Sequence, residues 1–203
     1  MSSEPEPETA SHSVMPERAS RSLTLSLTVG FAAAIGLRIA IGLPDVSAST
    51  GAGLAFALAL YGLAALSRPR LNASPKALSI GVVVGALLCA PAVLARIAFT
   101  DSHRPEGSFL TWSLIVSVVA VAEEVFLRGA LRDAITAWRG ANTAVVVGAV
   151  LFAALHLPLY GWGSVPLDLG VGLILGYLRE RTGSVAAPAG AHVTADLIAW
   201  WLR

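Results

Sequence analysis

The chain has few charged residues and almost nothing that could cross-link it. Its 203 residues include one cysteine and only 13% charged residues, whereas 55% are hydrophobic. Cys89 has no partner for an intrachain disulfide, so a disulfide-stabilised scaffold is excluded. The low charge content and the mean hydropathy of +0.71 exclude an ordinary water-soluble globular domain. We therefore predict an integral membrane protein. The net charge of +1 gives no reason to expect a nucleic-acid partner.

The hydrophobic residues form continuous runs, and the alternating apolar and polar residues of a membrane β-barrel are absent. A helix crosses a hydrocarbon core of about 30 Å with about 20 residues. We predict an all-α fold, a polytopic transmembrane bundle of about seven helices, with six to eight still open. The predicted spans are 23–43, 51–67, 77–99, 109–132, 143–160, 165–179 and 185–202, within a single domain of residues 23–203.

Basic residues favour one side of the predicted bundle. They lie before the first span and in the alternate connections, at Arg18, Arg21, Arg68, Arg70, Lys76, Arg132, Arg139, Arg179 and Arg181. Because basic loops stay in the cytoplasm, we expect the amino terminus on the cytoplasmic side. The expected location of the protein is the plasma membrane. Residues 1–22, rich in Ser, Pro and Glu, are predicted to form a disordered cytoplasmic tail. Arg38 and Arg96 lie near the outer ends of their spans, where a long side chain is expected to extend to the membrane surface.

The fourth predicted span carries an unusual group of charges. Ionisable groups are costly in hydrocarbon, so charged residues within a span indicate a functional site. Glu123 and Glu124 point about 100° apart on a helix, so they cannot share one role. Glu124 and Arg128 are four residues apart and predict an ion pair on one helix face. Glu123 is then left to face a cavity, where a carboxylate suits general-base work.

Two further spans carry similar pairs. Phe152 and His156 are four residues apart on the fifth span, and His192 and Asp196 are four apart on the seventh. Each pair therefore shares a helix face, and the aspartate could fix the tautomer of its imidazole. Three helices with polar groups directed inward predict one intramembrane cavity, which the charge pattern places open to the cytoplasm.

These patterns carry a family resemblance. Glu123-Glu124-Val-Phe-Leu-Arg128-Gly129, Phe152-Ala-Ala-Leu-His156 and His192-Val-Thr-Ala-Asp196 resemble, in order, three motifs of the type II CAAX prenyl endopeptidase and bacteriocin-processing family. The stretch from Gly172 to Ser184 is also similar to the family segment before the last motif. The resemblance covers residues 109–202, and the first half matches only as generic membrane helices.

The resemblance implies hydrolysis of a peptide bond within the membrane, without a covalent intermediate and without a cofactor. In the family the first glutamate and the second-motif histidine activate a water, which assigns that role to Glu123 and His156. The last motif stabilises the oxyanion, which assigns His192 and Asp196 to it, with Glu124, Arg128 and Phe152 in support. The family has Asn or Asp at the last position, but an ionised carboxylate cannot donate a hydrogen bond. Asp196 must therefore be protonated, or must act by orienting His192.

Several alternatives stay open at this stage. Glu123, His156 and His192 could bind zinc, although no H-E-x-x-H pattern supports it. No serine or cysteine lies at helical spacing from a histidine, so covalent catalysis has little support. A non-catalytic adaptor or immunity-type protein and a proton-coupled transporter are the competing functions, and the chain has no internal repeat typical of transporters. The expected partners are membrane lipids and a lipidated or membrane-associated peptide; the substrate and the oligomeric state stay open.

Overall fold

A computed structural model describes residues 17–46, 49–94 and 108–202. Within these ranges every regular element is a helix and no strand is present, which confirms the predicted all-α fold. Seven helices follow one another along the chain: α1 Glu17–Gly42, α2 Thr50–Ser67, α3 Pro75–Leu94, α4 Phe109–Arg139, α5 Ala141–Tyr160, α6 Val165–Thr182 and α7 Ala186–Ala199. Helix α4 passes without a break through a π-helical segment, Val125–Leu131.

Helices α1 to α5 are long and apolar enough to cross a membrane. The last two helices differ from them, because α7 has only 14 residues and α6 contains four charged residues. The protein is thus a multi-pass helical bundle, in which the last two helices complete the interior.

Two helices extend beyond their predicted bounds. Helix α1 begins at Glu17, inside the stretch predicted to be a tail, and the hydroxyls of Ser20 and Thr24 donate to carbonyl oxygens of this first part at 2.9 Å. Helix α4 continues past residue 132 because the Arg132 guanidinium donates two hydrogen bonds of 2.7 Å to Glu180 of α6. Residues 1–16 of the predicted tail and the end of the third predicted span lie outside the described residues.

Helix α3 lies against α7 through glycines. A Cβ at Gly81 would lie 2.1 Å from the Ala187 carbonyl oxygen, and one at Gly85 would lie 2.3 Å from that of Ala191. Only glycine allows so close an approach, and small residues are the usual means of packing helices in lipid. This contact fixes the position of α7 against α3 at Ala191, the residue that precedes His192.

Helix α1 packs on α2 and on the π-helical segment through three phenylalanines. The ring of Phe31 lies 5.2 Å from that of Phe126 and 6.3 Å from that of Phe56, measured between centroids. All three side chains are buried. This core places the last turns of α1 against the middle of α4.

Candidate functional site

Polar side chains from three helices meet in the interior of the bundle. Helix α4 supplies both glutamates and Arg128, α5 supplies His156, and α7 supplies His192. One ligand atom from each of Glu123, His156 and His192 lies within 4.8 Å of the others. Residues 69 positions apart along the chain therefore form one compact cluster, as the motifs predicted.

The two glutamates have different partners. Glu124 is completely buried and accepts a hydrogen bond of 2.9 Å from Arg128, so the predicted ion pair is present. Arg128 also donates to the carbonyl oxygen of Gly172 at 3.1 Å and stacks on the ring of Phe152 at 4.9 Å. Glu123 takes no part in this pair. The Glu124–Arg128 pair joins α4, α5 and α6 and has the character of a structural support.

Removing the cation of this pair should destabilise the protein. A buried ion pair that loses one partner leaves an uncompensated charge, at a cost of about 3–5 kcal/mol. We expect Arg128→Met to lower the thermal unfolding midpoint in detergent strongly, and Arg181→Met, which removes an exposed arginine, to leave it nearly unchanged. Equal midpoints for the two variants would contradict a supporting role for Arg128.

His156 is held by the backbone of its own helix. Its Nδ1 lies 2.8 Å from the carbonyl oxygen of Phe152 and therefore carries the hydrogen, since a carbonyl only accepts. The ring also packs against that of Phe152, at 4.4 Å between centroids. The Nε2 atom of a neutral ring then keeps a lone pair, which can accept a proton or bind a metal.

His192 lies among three carboxylates. Its Nδ1 contacts Glu124 at 3.0 Å, while its Nε2 lies 3.9 Å from Glu123 and 3.6 Å from Asp196. Glu124 thus orients the ring through one nitrogen, and the other nitrogen faces the space beside Glu123. Asp196 is the most exposed member of the group, with 32% of its side chain accessible.

Arg38 also belongs to this cluster, which corrects the prediction that it extends to the membrane surface. Its side chain is 13% exposed, and its Nη1 lies 3.7 Å from Oε1 of Glu123. The guanidinium stacks on Phe56 at 4.9 Å. Helical spacing could have revealed this, because Arg38 lies four and seven residues after the buried Ala34 and Phe31. Arg96 lies outside the described residues.

Arg179 was likewise assigned to a surface connection and is instead buried. Its Nε donates to the carbonyl oxygen of Arg128 at 3.0 Å, and its side chain is 6% exposed. Within a widened π-helical segment, a carbonyl can lack its usual helical partner. Arg179 therefore supports the segment that follows the two glutamates.

The cluster lies near the middle of the apolar length of α4. Glu123 is eleven residues after Trp112, which packs on Trp200 at 4.8 Å, and nine residues before Arg132. These separations correspond to about 17 Å and about 14 Å along the helix. Their sum is close to the thickness of a hydrocarbon core, about 30 Å. The site is therefore deep in the bundle, between an aromatic end, at Trp112 and Trp200, and a basic end, at Arg132.

Packing around the cluster is uneven. Toward the basic end, six of the seven residues of the π-helical segment are buried. Toward the aromatic end, Ile115, Val116 and Ser117 of α4 are only half-buried, and His156 lies four residues before the end of α5. Among the described residues, the densely packed side of the cluster is thus the basic one.

The spacing of the three ligand atoms suits a water. An oxygen about 2.8 Å from two hydrogen-bond partners can bridge atoms up to about 5.6 Å apart, which includes 4.8 Å. A tetrahedral zinc with bonds of about 2.1 Å brings its ligands to about 3.4 Å from one another. Two imidazoles and a carboxylate are a donor set that catalytic zinc uses, so the residue types also fit a metal after a small inward movement of the side chains.

A bundle of apolar helices around buried carboxylates, imidazoles and guanidiniums defines a polytopic membrane protein with an intramembrane polar site. Residues 105–198 match the family described as type II CAAX prenyl endopeptidase Rce1-like, so this segment of the chain is a domain of that family. The match includes all three motifs and confirms the family recognised from them. Comparisons with curated proteins and with solved structures found no match.

Proposed function

We propose that the protein is an intramembrane endopeptidase that hydrolyses a peptide bond of a lipidated or membrane-associated substrate. One observation carries the proposal: Glu123, His156 and His192 converge to within 4.8 Å in the interior of an apolar bundle. Hydrocarbon excludes water, and water is a poor nucleophile, so a protease in this setting needs a polar cavity with a base. The family match over residues 105–198 agrees with this class of activity.

Glu123 and His156 would activate the water. The carboxylate accepts a proton from the water, and the free Nε2 of His156 accepts a second hydrogen bond that holds the water in place. The Nδ1–H donated to Phe152 fixes the tautomer that makes Nε2 an acceptor. His156 is thus a positioning group for the attacking oxygen, and Glu123 is the base.

His192 would stabilise the oxyanion that forms on the substrate. Its Nδ1 contacts Glu124, so donation to the substrate requires a second hydrogen on Nε2 and an imidazolium ring. The carboxylates of Glu123 and Asp196 beside Nε2 stabilise the positive charge of that ring. Asp196 accordingly acts by orienting His192 electrostatically, and His192 is the stronger contributor of the pair.

Zinc is the alternative for the same three side chains. A bound zinc would supply a Lewis acid and an acidified water, with Glu123, His156 and His192 as ligands. The two mechanisms differ in one measurement. A metal-independent enzyme keeps its turnover after dialysis against a chelator, whereas loss of turnover that zinc restores would establish the metal site.

The experiment that tests the proposed function compares the termini of membrane proteins in cells that carry the wild-type chain or Glu123→Gln. Hydrolysis predicts new carboxyl termini in the wild type and their absence in the variant, and it names the substrate directly. Identical termini in both strains would favour the non-catalytic adaptor. Proton-coupled transport by the purified protein in vesicles would favour the transporter.

The charge pattern supports a cytoplasmic position for the basic end in the plasma membrane. The buried π-helical segment separates the cluster from that end, so packing favours access from the aromatic end. This differs from the cytoplasmic opening predicted from the sequence, which used the charge pattern alone.

Thiol labelling distinguishes the two directions of access. In a Cys89→Ala chain, we expect Asp196→Cys to react with a membrane-impermeant maleimide in intact cells, because Asp196 is the accessible member of the cluster. Ala137→Cys at the basic end is the control and should react only in inverted vesicles. Labelling of Asp196→Cys only in inverted vesicles would show that the cavity opens to the cytoplasm.

A further inference from the structure

We propose that Arg38 is a further catalytic residue, whose guanidinium donates a hydrogen bond to the carbonyl oxygen of the scissile peptide bond. The inference rests on the proposed function and adds a residue to it. Arg38 lies in α1, outside the segment that matches the family. The family comparison therefore assigns it no role.

Arg38 is close to Glu123 without being hydrogen-bonded to it. Their closest atoms, Nη1 and Oε1, are 3.7 Å apart. A charge-assisted N–H···O bond is about 2.7–2.9 Å long, so this contact is electrostatic only. Space remains for the guanidinium to donate to a different oxygen beside the carboxylate.

Two donor nitrogens of Arg38 are unused among the described residues. Its Nε and Nη1 are buried and have no hydrogen-bond partner there. Arg128, the other arginine of the cluster, instead donates to Glu124 and to the Gly172 carbonyl. A buried donor without a partner is costly, so the unused donors of Arg38 indicate a ligand oxygen. Arg128 has the bonds of a structural residue, and Arg38 does not.

The geometry around Glu123 places that oxygen on the substrate. The carboxylate lies between Arg38 at Oε1 and His192 at Oε2. A water held by Glu123 attacks a carbonyl carbon about 3 Å away, so the carbonyl oxygen comes within reach of a cation that contacts the same carboxylate. Arginine stays protonated and always offers N–H groups.

Arg38 also supplies a donor that the last motif lacks. An amide at position 196 could donate to an oxyanion, whereas the ionised carboxylate of Asp196 cannot. With Asp196 orienting His192, the oxyanion would receive one hydrogen bond from His192. Arg38, which lies beside the other carboxylate oxygen of Glu123, provides the second.

Hydrolysis proceeds through a tetrahedral intermediate. The water oxygen bonds to the carbonyl carbon, its proton passes to Glu123, and the C=O electron pair moves to the oxygen, which Arg38 and His192 stabilise. When the oxygen re-forms the double bond, the C–N bond breaks. The leaving nitrogen takes the proton from Glu123, and the second proton of the water remains on the new carboxyl group. The products are a carboxylic acid and an amine, and transfer of that proton gives a carboxylate and an ammonium.

The test measures kcat and KM of the purified protein in liposomes with a prenylated CAAX peptide. Loss of an oxyanion donor typically lowers kcat by about 10²–10³-fold. We expect such a loss for Arg38→Met with KM within about twofold, since the donor acts mainly in the transition state. Arg139→Met is the matched control, because Arg139 also stacks on an aromatic ring, at 4.5 Å from Trp138, but is exposed at the basic end. It should keep full turnover.

Two additional measurements separate catalysis from charge balance and from misfolding. Arg38→Ala should regain turnover when guanidinium ions are added, which a purely structural defect would not do. If the only role of Arg38 were to balance the charge of Glu123, Arg38→Met would have a lower thermal midpoint and an unchanged kcat. In a Glu123→Gln background the same substitution would then leave the midpoint unchanged. This result would overturn the inference. If the wild type is active and Arg38→Met has the same kcat, the inference would be overturned as well. Absence of wild-type turnover with this peptide, together with unchanged membrane-protein termini in the Glu123→Gln comparison, would overturn the proposed function and this inference together.

Discussion

Replacing Glu123 by glutamine is expected to lower the rate of peptide hydrolysis by about 10²–10⁴-fold, the usual contribution of a positioned general base. Glutamine keeps the size of the side chain and can still contact Arg38 and His192, but its amide does not take a proton from water. We expect the variant to insert and fold normally, because within the described part of the chain Glu123 makes no hydrogen bond of the kind that holds Glu124 to Arg128. The rate is measured in liposomes with a prenylated CAAX peptide or with a substrate identified from the altered termini.

The matched control is Glu180→Gln. Glu180 is also an arginine-paired glutamate, bonded to Arg132 at 2.7 Å, but it lies at the basic end. It should lose little turnover even if it loses some stability. Normal turnover by purified Glu123→Gln would remove Glu123 from the water-activating role.

Replacing His156 by alanine should lower turnover by about 10²-fold or more, since the attacking water would lose one of its two partners. Stability should change little, because the hydrogen bond that His156 makes among the described residues goes to the carbonyl of Phe152 in its own helix. The measurement is again kcat in liposomes, together with the thermal midpoint. His156→Gln is the informative companion, because its amide oxygen can accept a hydrogen bond from water and should restore part of the rate.

His103, outside the described residues, offers a control for imidazole in general. His103→Ala should keep wild-type turnover. If His156→Ala and His103→Ala had the same rate as the wild type, the water would be held elsewhere. If His156→Ala instead bound less zinc than the wild type and lost activity in the same proportion, His156 would be a metal ligand.

Helical spacing predicted the parts of the site that depend on one helix. The Glu124–Arg128 ion pair and the contact of Phe152 with His156 both join residues four apart, and both are present. Spacing also separated Glu123 from Glu124. These contacts are local, so the sequence contains the information needed to place them.

Contacts between distant helices were harder to predict. The position of Arg38 along α1 alone predicts that it reaches the membrane surface. The helix face on which it lies, which position alone does not show, instead directs it into the bundle. Its approach to Glu123 depends on the packing of Phe31 on Phe126, more than 90 residues away in the chain. The π-helical segment and the buried Arg179 are further tertiary features that no local pattern indicated.

The roles of the site residues came from family resemblance, and the structure adds the distances on which they depend. Glu124 contacts both Arg128 and His192, so one carboxylate connects the structural pair to the proposed oxyanion group. This explains in physical terms why two consecutive glutamates occur in the motif. In the proposed mechanism the first activates the water, and the second positions the groups around it.

The central claim is that Glu123 directs a water onto the substrate without a covalent intermediate. A single turnover in ¹⁸O-labelled water, followed by mass spectrometry of product and protein, tests it most directly. We expect one ¹⁸O atom in the new carboxyl terminus of the product from the wild type, no label or adduct on the Glu123 side chain, and no product from Glu123→Gln. An acyl adduct on the protein, or labelled product from Glu123→Gln at the wild-type rate, would contradict it.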